Sequence, residues 1–371
     1  MKPRILVTSA VGHTGSIVVK QLLAQGFQVR AFVRRQDFRS EKLKQLGAEI
    51  FVGDLFDLRD LRKALIDVQR AYYCFPFAPN LLHGSMLFAL AAEEAKLEVM
   101  VALTAWNPHP THPSIHQREH WLANNIHQWM PTVEVVHINP GMFAFTYFFG
   151  LPQVVHLGQL MLPFGNGLNA PPSNEDIAAI AIGVLAQPDN HLDKVYRPTG
   201  PKLISGYDVA EIMERILNRP VKYQPVSIPM FIKAANALGF SNFEMAQIRH
   251  YAQEVQHGTY AIGAPTDHVE QVCDRPPEDF ETTARRYIQN PALVFPKLRI
   301  GNRWYALQLL VKTILARVPD LDCWESERGY PLLSDPALAH ESDEWREVAQ
   351  QQQLALIKPK NRPDELWQQY V

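Results

Sequence analysis

The residues best suited to chemistry lie in one stretch, "HPTHPSIHQREHW", His109 to Trp121, where His109, His112, His116 and His120 fall within twelve residues. Its second half reads His116-Gln117-Arg118-Glu119-His120, an H-x-x-E-H string. On a helix, residues four apart share a face. Two imidazoles could then converge on zinc with the glutamate as base, the arrangement of a metallopeptidase. An unperturbed imidazole also titrates at ~6.5, so the same pair suits proton transfer near neutrality. Zinc would need a third protein ligand and a matching frame, so the surrounding chain must decide between the two chemistries.

A second chemical feature stands near the N-terminus. "TSAVGHTG" places Gly12 and Gly15 at the spacing of the last two glycines of G-x-x-G-x-x-G, with Ser9 where the first would be. Such a turn lets backbone approach a pyrophosphate, and the free N–H groups and dipole of the following helix hold the anion. The next strand pattern ends in "VRRQ". A carboxylate there would accept from a ribose 2′-hydroxyl, whereas Arg34 and Arg35 suit a 2′-phosphate, which favours NADP(H) over NAD. Asp54, in "VGDL", ends a third strand pattern. It can accept from an adenine amino group or serve as a turn residue.

The elements that must carry these residues alternate in period. Apolar runs at 4–9, 27–35, 48–55, 70–77, 99–106 and 133–140 read as strands, and helical spacing occupies 14–26, 40–47, 58–67, 84–96 and about 115–128. Alternation of this kind gives a doubly wound parallel sheet with right-handed crossovers. We therefore expect an α/β protein with a Rossmann-type domain over 1–141, its sheet completed by later strands. After 141 the rhythm breaks. An aromatic run at 142–150 precedes Gly- and Pro-rich loops, helices at 171–188 and 205–218, strands at 194–200 and 222–227, and helical patterns to about 290. Residues 142–290 read as a small mixed α/β cap on the substrate side, and 291–371 as a helical C-terminal extension. Within the extension, 302–318 puts Trp304, Leu307, Val311, Ile314, Leu315 and Val318 on one helical stripe, with Arg303, Lys312 and Arg317 mostly off it. Such a stripe usually marks a face docked on the protein body; an interfacial membrane helix is the alternative, and the only membrane contact we expect.

Composition narrows the function classes. Across 371 residues, 36 basic and 38 acidic side chains give a formal charge of -2, which offers no general attraction to nucleic acid. Cys74, Cys273 and Cys323 are odd in number and far apart, which fits a reducing compartment better than a disulfide framework. The first apolar run is too short for a leader and no run reaches the roughly 18 residues of a membrane span, so we expect a cytoplasmic protein.

The chain resembles the NmrA-like family, an atypical branch of the short-chain dehydrogenases/reductases, over about residues 3–285. The resemblance rests on "ILVTSAVGHTGSIVVKQLLAQGFQVRAFVRR", "GAEIFVGDLFD", "VMVALTAW" and "INPGMF", and continues into "NAPPSNEDIA" and "YRPTG". It implies a Rossmann domain with a small substrate-side domain, and NADP(H) as cofactor. It implies either reduction of quinones or small carbonyl compounds, or a non-catalytic redox sensor that binds the dinucleotide and a regulatory protein partner. By the same resemblance Gly12, His13, Thr14 and Gly15 hold the pyrophosphate, Arg34 the 2′-phosphate, and Asp54 the adenine. Phe75 and Pro76 then lie along the adenosine, and Pro140 and Gly141 pass near the nicotinamide. Ser9 and Asn139 depart from the usual pattern, and the chain beyond 295 lies outside it.

Active short-chain enzymes carry Tyr-x-x-x-Lys on the fifth helix, the tyrosine as proton donor. Counted back without a gap from Pro140, the tyrosine position falls on His116 and the lysine position on His120. The histidine string thus sits where a reductase keeps its acid, and a nucleotide fold is the wrong frame for a zinc peptidase, so we expect no metal. The expected function is hydride transfer from NADPH to a small-molecule substrate, a quinone or carbonyl compound, with His116 as proton donor, Thr104 orienting the substrate, His120 at the ribose, and the aromatic run 142–149 lining the pocket. The alternative is the dinucleotide-dependent sensor.

Overall fold

The computed structural model describes residues 2–352. Its centre is a seven-stranded parallel sheet in the order β3-β2-β1-β4-β5-β6-β8. Six of its strands are β1 (Arg4–Val7), β2 (Gln28–Val33), β3 (Glu49–Val52), β4 (Arg70–Tyr73), β5 (Val99–Leu103) and β6 (Glu134–Ile138). They alternate with α1 (Gly15–Ala24), α2 (Phe38–Gln45), α3 (Leu58–Ala64), α4 (Leu81–Ala95) and α5 (Ile115–His127). Helices cover both faces, so the strands read as continuous apolar runs: Ile5, Leu6 and Val7 are all fully buried. The strands are shorter than the apolar runs predicted. β4 stops at Tyr73 rather than 77, and Cys74–Phe77 follow it outside the sheet.

Beyond 141 comes a 3₁₀ turn (Ala144–Phe148), then α6 (Leu151–Leu157) and β7 (Gln159–Leu162). α7 (Asn174–Ala186) and the two-residue β8 (Val195–Tyr196) then return to the sheet. α7 supplies Ile177, Ile180, Ala181, Val184 and Leu185 to the core shared with α1, and β8 pairs with β6. β8 is therefore a late strand that completes the sheet. A smaller part is built from α8 (Gly206–Leu217), β9 (Lys222–Pro225), α9 (Ile228–Leu238), α10 (Asn242–Gln256) and α12 (Phe280–Gln289), whereas α11 (His268–Cys273) packs on α7 and puts Val269 in the core of the main sheet. β7 and β9 form a two-stranded parallel sheet. β7 has no counterpart in the sequence reading, since "QLML" is short and lies in a Gly- and Pro-rich region.

The expected extension, 291–371, is described as far as Gln352 and contains α13 (Arg303–Leu315), α14 (Leu321–Glu327) and α15 (Asp343–Gln351). Its last described residue is tied to the main sheet: Arg197, buried over the Trp106 ring, donates from Nη2 to Gln352 Oε1 at 2.8 Å. α13 packs on α6 and α9. It docks, but not by the stripe expected to do so. Ala306 is buried and Tyr305, Leu309, Leu310 and Thr313 are half-buried, whereas Trp304, Val311, Ile314 and Leu315 face outward and Val318 lies past the helix end. Both faces of this helix are apolar, and the sequence period alone marks only the longer stripe.

Candidate active site

The loops at the carboxyl ends of β1, β4, β5 and β6 carry most of the predicted site residues, and in an open parallel sheet this edge is where ligands bind. The β1–α1 turn is built for close approach. Ser9 takes φ +46, the left-handed conformation that glycine supplies in the usual motif. Its hydroxyl donates to the Cys74 carbonyl at 2.7 Å, so it pins the turn to the end of β4. A Cβ on Gly15 would stand 2.3 Å from the Ser9 carbonyl oxygen and one on Gly12 3.0 Å from it. Helix α1 then begins without a side-chain cap: the Thr14 hydroxyl is hydrogen-bonded to the Tyr72 hydroxyl at 2.8 Å, and the first turn has no acidic residue. The amides of Gly12, Ser16 and Ile17 are taken by the carbonyls of Ser9, Gly12 and Thr14; the amides of His13, Thr14 and Gly15 and the dipole of α1 are left for an anion, and a pyrophosphate fits this cradle.

Arg34 and Arg35 are exposed at the end of β2. Arg35 Nε lies 4.0 Å from Asp37, whose carboxylate is taken mainly by Arg39 at 2.7 Å. Asp54 closes a turn by accepting from the Phe56 amide with Oδ1, at 2.9 Å. Phe75 packs so tightly on α4 that a Cβ on Gly84 would stand 2.3 Å from its ring, and Phe56 meets it edge-on. These rings form an apolar wall beside Asp54. His13 is half-buried against Phe145, with centroids 4.3 Å apart, and burial lowers its pKa.

The four histidines separate into two pairs. His116 and His120 sit on one face of α5 with ring centroids 4.6 Å apart. His116 Nδ1 is 2.9 Å from the Tyr251 hydroxyl, and His120 Nδ1 is 3.2 Å from the Thr104 hydroxyl. Burial first, and His120 second, push the His116 pKa well below 6.5. Burial first, and His137 second, lower His120 to about 3. Both imidazoles are therefore neutral at neutral pH. The expectation of a readily protonated imidazole fails here because desolvation penalises the charged form.

Glu119 points the other way. Its carboxylate accepts from the Leu81 amide at 3.0 Å and so serves the start of α4, whose N-cap residue Asn80 makes no side-chain cap. The H-x-x-E-H string does not converge on a metal.

His109 and His112 lie deeper, beside Glu254 of α10, and the ligating atoms of these three lie within 4.8 Å of one another. Their bonding disfavours an ion. His112 Nδ1 accepts from the Ser114 amide at 2.9 Å, which leaves the proton on Nε2, and Nε2 donates to Glu254 Oε1 at 3.0 Å. Glu254 also accepts from the Ala339 amide at 2.8 Å and from the Thr259 hydroxyl. Burial raises its pKa, but the hydrogen bonds from His112 and His340 outweigh this and the net shift is downward. This cluster ties the extension to the body.

The model of the NmrA-like family matches residues 1–284. The chain belongs to this family. Among its relatives is an NAD(P)H azoreductase of Xenophilus azovorans, 26% identical over 286 residues, which span 77% of this chain and 96% of the relative. Among solved structures, an NADPH-dependent quinone oxidoreductase of Escherichia coli complexed with NADPH superposes with TM-score 0.67 at 19% identity, covering 76% of this chain and 99% of that one. NmrA, a negative transcriptional regulator in complex with NADP, superposes with TM-score 0.65 at 16% identity, covering 78% and 97%.

Within this NmrA-like chain three site residues escaped the sequence reading. Tyr251 and Phe243 come from α10, and Phe77 meets His116 edge-on at 4.6 Å. Nothing in "FEMAQIRHY" marks Tyr251, because its role arises from packing α10 on α5. The aromatic run behaves differently from its expectation. Tyr147 and Phe148 are buried against Phe280, and Phe148 also against Tyr287, while Phe143, Phe145 and Phe149 are half-buried. The 3₁₀ turn rotates successive rings to different sides, so only part of the run is available to a ligand. Pro140 and Gly141 are buried, and a Cβ on Gly141 would stand 3.4 Å from Asn169 Oδ1.

Proposed function

We propose that this protein binds NADP(H) at the β1–α1 turn and reduces a quinone or small carbonyl compound beside Thr104 and His116. One observation carries this reading: an uncapped anion cradle and two hydrogen-bonded pairs, Thr104 with His120 and His116 with Tyr251, stand at one edge of the sheet. The azoreductase and quinone oxidoreductase relatives support the reductive direction. Bound there, the dinucleotide supplies a hydride from its nicotinamide. The chain does the rest. Backbone amides of His13, Thr14 and Gly15 hold the pyrophosphate, with Gly12 letting it approach, Arg34 and Arg35 the 2′-phosphate, and the unused Asp54 oxygen the adenine amino group. Phe75 and Pro76 flank the adenosine, and Pro140 and Gly141 back the nicotinamide.

With His116 neutral and its Nδ1 accepting from the Tyr251 hydroxyl, Nε2 carries the proton; as Nε2 gives it to the acceptor oxygen, Nδ1 takes the Tyr251 hydroxyl proton, so the imidazole stays neutral and the negative charge passes to the Tyr251 oxygen. A carbonyl compound needs that donor because hydride addition leaves an alkoxide; a quinone can take its proton from water. Thr104 orients the acceptor through its hydroxyl. One observation favours the sensor as a second reading: His120, at the position of the lysine, is committed to Thr104. NADPH oxidation measured against quinones and aldehydes, with NADPH binding followed by calorimetry, separates the two. Turnover supports the reductase; tight binding without turnover of any acceptor supports the sensor.

A further inference from the structure

We propose that the outward face of α13 docks the protein on an anionic lipid surface. The proposal is independent of the chemistry in the cleft. Along that face Trp304, Val311, Ile314 and Leu315 are 75%, 54%, 55% and 77% exposed, followed by Val318 at 44%. Positions 304, 311 and 315 fall on one side of a helix, a spacing that makes a continuous apolar strip. Arg303 lies at one margin of the strip and Lys312 at the other, since successive residues turn by about 100°. This strip is not a docking face left open by a loose helix. The opposite side of α13 is seated on α6 and α9, and the Asn236 side chain of α9 donates to the Arg317 carbonyl at 3.1 Å.

Charge identifies the occupant. Residues 291–319 hold Lys297, Arg299, Arg303, Lys312 and Arg317 and no aspartate or glutamate, in a chain with 38 acidic residues overall. The supporting helices α6 and α9 add Lys233 and again no acid. None of these six cations is ion-paired among the described residues; Lys312 and Lys233 donate to the carbonyls of Ala237 and Ile314, which leaves Lys297, Arg299, Arg303 and Arg317 as the outer cations. A second copy seated here would oppose like charges. An anionic lipid surface matches both halves of the pattern: the strip enters the acyl boundary, tryptophan sits at the interface, and the flanking cations meet the headgroups. Among the described residues no helix is long and apolar enough to cross a membrane, so α13 would lie in the surface. Ring contacts run from His13 at the β1–α1 turn to Phe145 and Phe149, and on to Phe240, just past the end of α9, and to Phe295.

The test is co-sedimentation of the full chain with vesicles of phosphatidylcholine alone and of phosphatidylcholine mixed with phosphatidylglycerol. The expected result is at least about tenfold tighter binding to the mixed vesicles, weakened by salt. Trp304→Glu with Leu315→Glu should abolish it. Arg303→Gln with Arg317→Gln should weaken it about twenty-five-fold, near fivefold per cation. Both pairs replace exposed side chains, so circular dichroism and melting temperature should match the parent. Equal binding to both vesicle types, binding unchanged in either folded variant, or no vesicle binding with self-association through the strip in analytical ultracentrifugation would each overturn the proposal.

Discussion

The Nδ1 of His116 on α5 lies 2.9 Å from the hydroxyl of Tyr251 on α10, across 135 residues of chain. The contact joins the two parts of the molecule at the place proposed for the acceptor. If His116 donates the proton, His116→Ala should cut carbonyl reduction by ~100- to 10,000-fold, the usual worth of general acid catalysis. NADPH affinity should stay nearly intact, because the imidazole faces the acceptor and not the phosphates. Tyr251→Phe removes the partner that sets the tautomer and should cost less, with the loss in kcat rather than KM. Quinone reduction should suffer little in either variant. Steady-state rates on both acceptor classes check this, and robust carbonyl reduction in His116→Ala would remove His116 from the mechanism.

A second prediction concerns the dinucleotide. Arg34 and Arg35 are exposed beside the phosphate turn, and only Arg35 is near a carboxylate, at 4.0 Å. Arg34→Ala with Arg35→Ala should weaken NADPH binding by roughly ten- to hundredfold, the equivalent of about 1.5–3 kcal/mol for a charge-assisted hydrogen bond. NADH binding should hardly change. Calorimetric titration of both nucleotides decides it; equal affinities in the parent protein would contradict the assignment.

What was legible in the sequence follows from the range of the interactions involved. The alternation of strands and helices is local, and all eleven elements of the first 140 residues appear in order in the fold. The tight β1–α1 turn is legible for the same reason, since Ser9, Gly12 and Gly15 shape it within seven residues. The surroundings of the proposed proton donor are not. His116 and His120 stand out by type and spacing, but their protonation depends on burial by Phe77, Phe243 and Tyr251, which no local pattern announces. The reverse error occurs at α13, where the strip that looks like a core face is the exposed one. Periodicity reports that a helix has an apolar side, not what covers it.

Ser9 tests the turn directly. A left-handed non-glycine residue costs roughly 1–2 kcal/mol, while the Ser9–Cys74 hydrogen bond returns about 1 kcal/mol. Ser9→Gly should therefore change stability by less than about 1 kcal/mol and leave NADPH binding in place. Gly15→Ala should not be tolerated, because its Cβ would meet the Ser9 carbonyl oxygen at 2.3 Å and force α1 away from the turn. Urea unfolding and NADPH titration of the two variants should diverge accordingly.

Zinc gives a simpler check. His116 and His120 are turned to Tyr251 and Thr104, Glu119 caps α4, and the proton on His112 Nε2 blocks the deeper cluster. Elemental analysis of purified protein should show no stoichiometric zinc. About one zinc per chain, lost in either His116→Ala or His112→Ala, would return the metal chemistry to consideration.

The buried histidines also set a pH dependence of stability. His109, His127 and His137 are 1%, 4% and 5% exposed. Burial is the first cause in each case. It lowers His109 to about 3 with help from His112, His127 to about 3 with help from His137, and His137 to about 4. Each folded-state value lies below the unfolded ~6.5, so between the two the unfolded chain binds more protons. Stability is then fully present above pH ~6.5 and falls as the pH drops toward 4. These three alone give a slope of up to about 4 kcal/mol per pH unit near pH 5, at 1.36 kcal/mol per proton, and His116, His120 and His250, lowered first by burial, add to it. Glu254 does not mask this. Its folded pKa is depressed, so its contribution is lost only as pH falls below 4.5 and toward its folded value. Urea melts between pH 7.5 and 4.5 should therefore show a steep loss that begins below about 6.5. In His127→Asn an amide takes the place of Nδ1, which is 3.4 Å from His137 Nε2. That variant should be less stable at pH 7 and flatter by about one proton in its slope. A slope unchanged by the substitution would mean that His127 is already solvated, or already charged, in the folded protein.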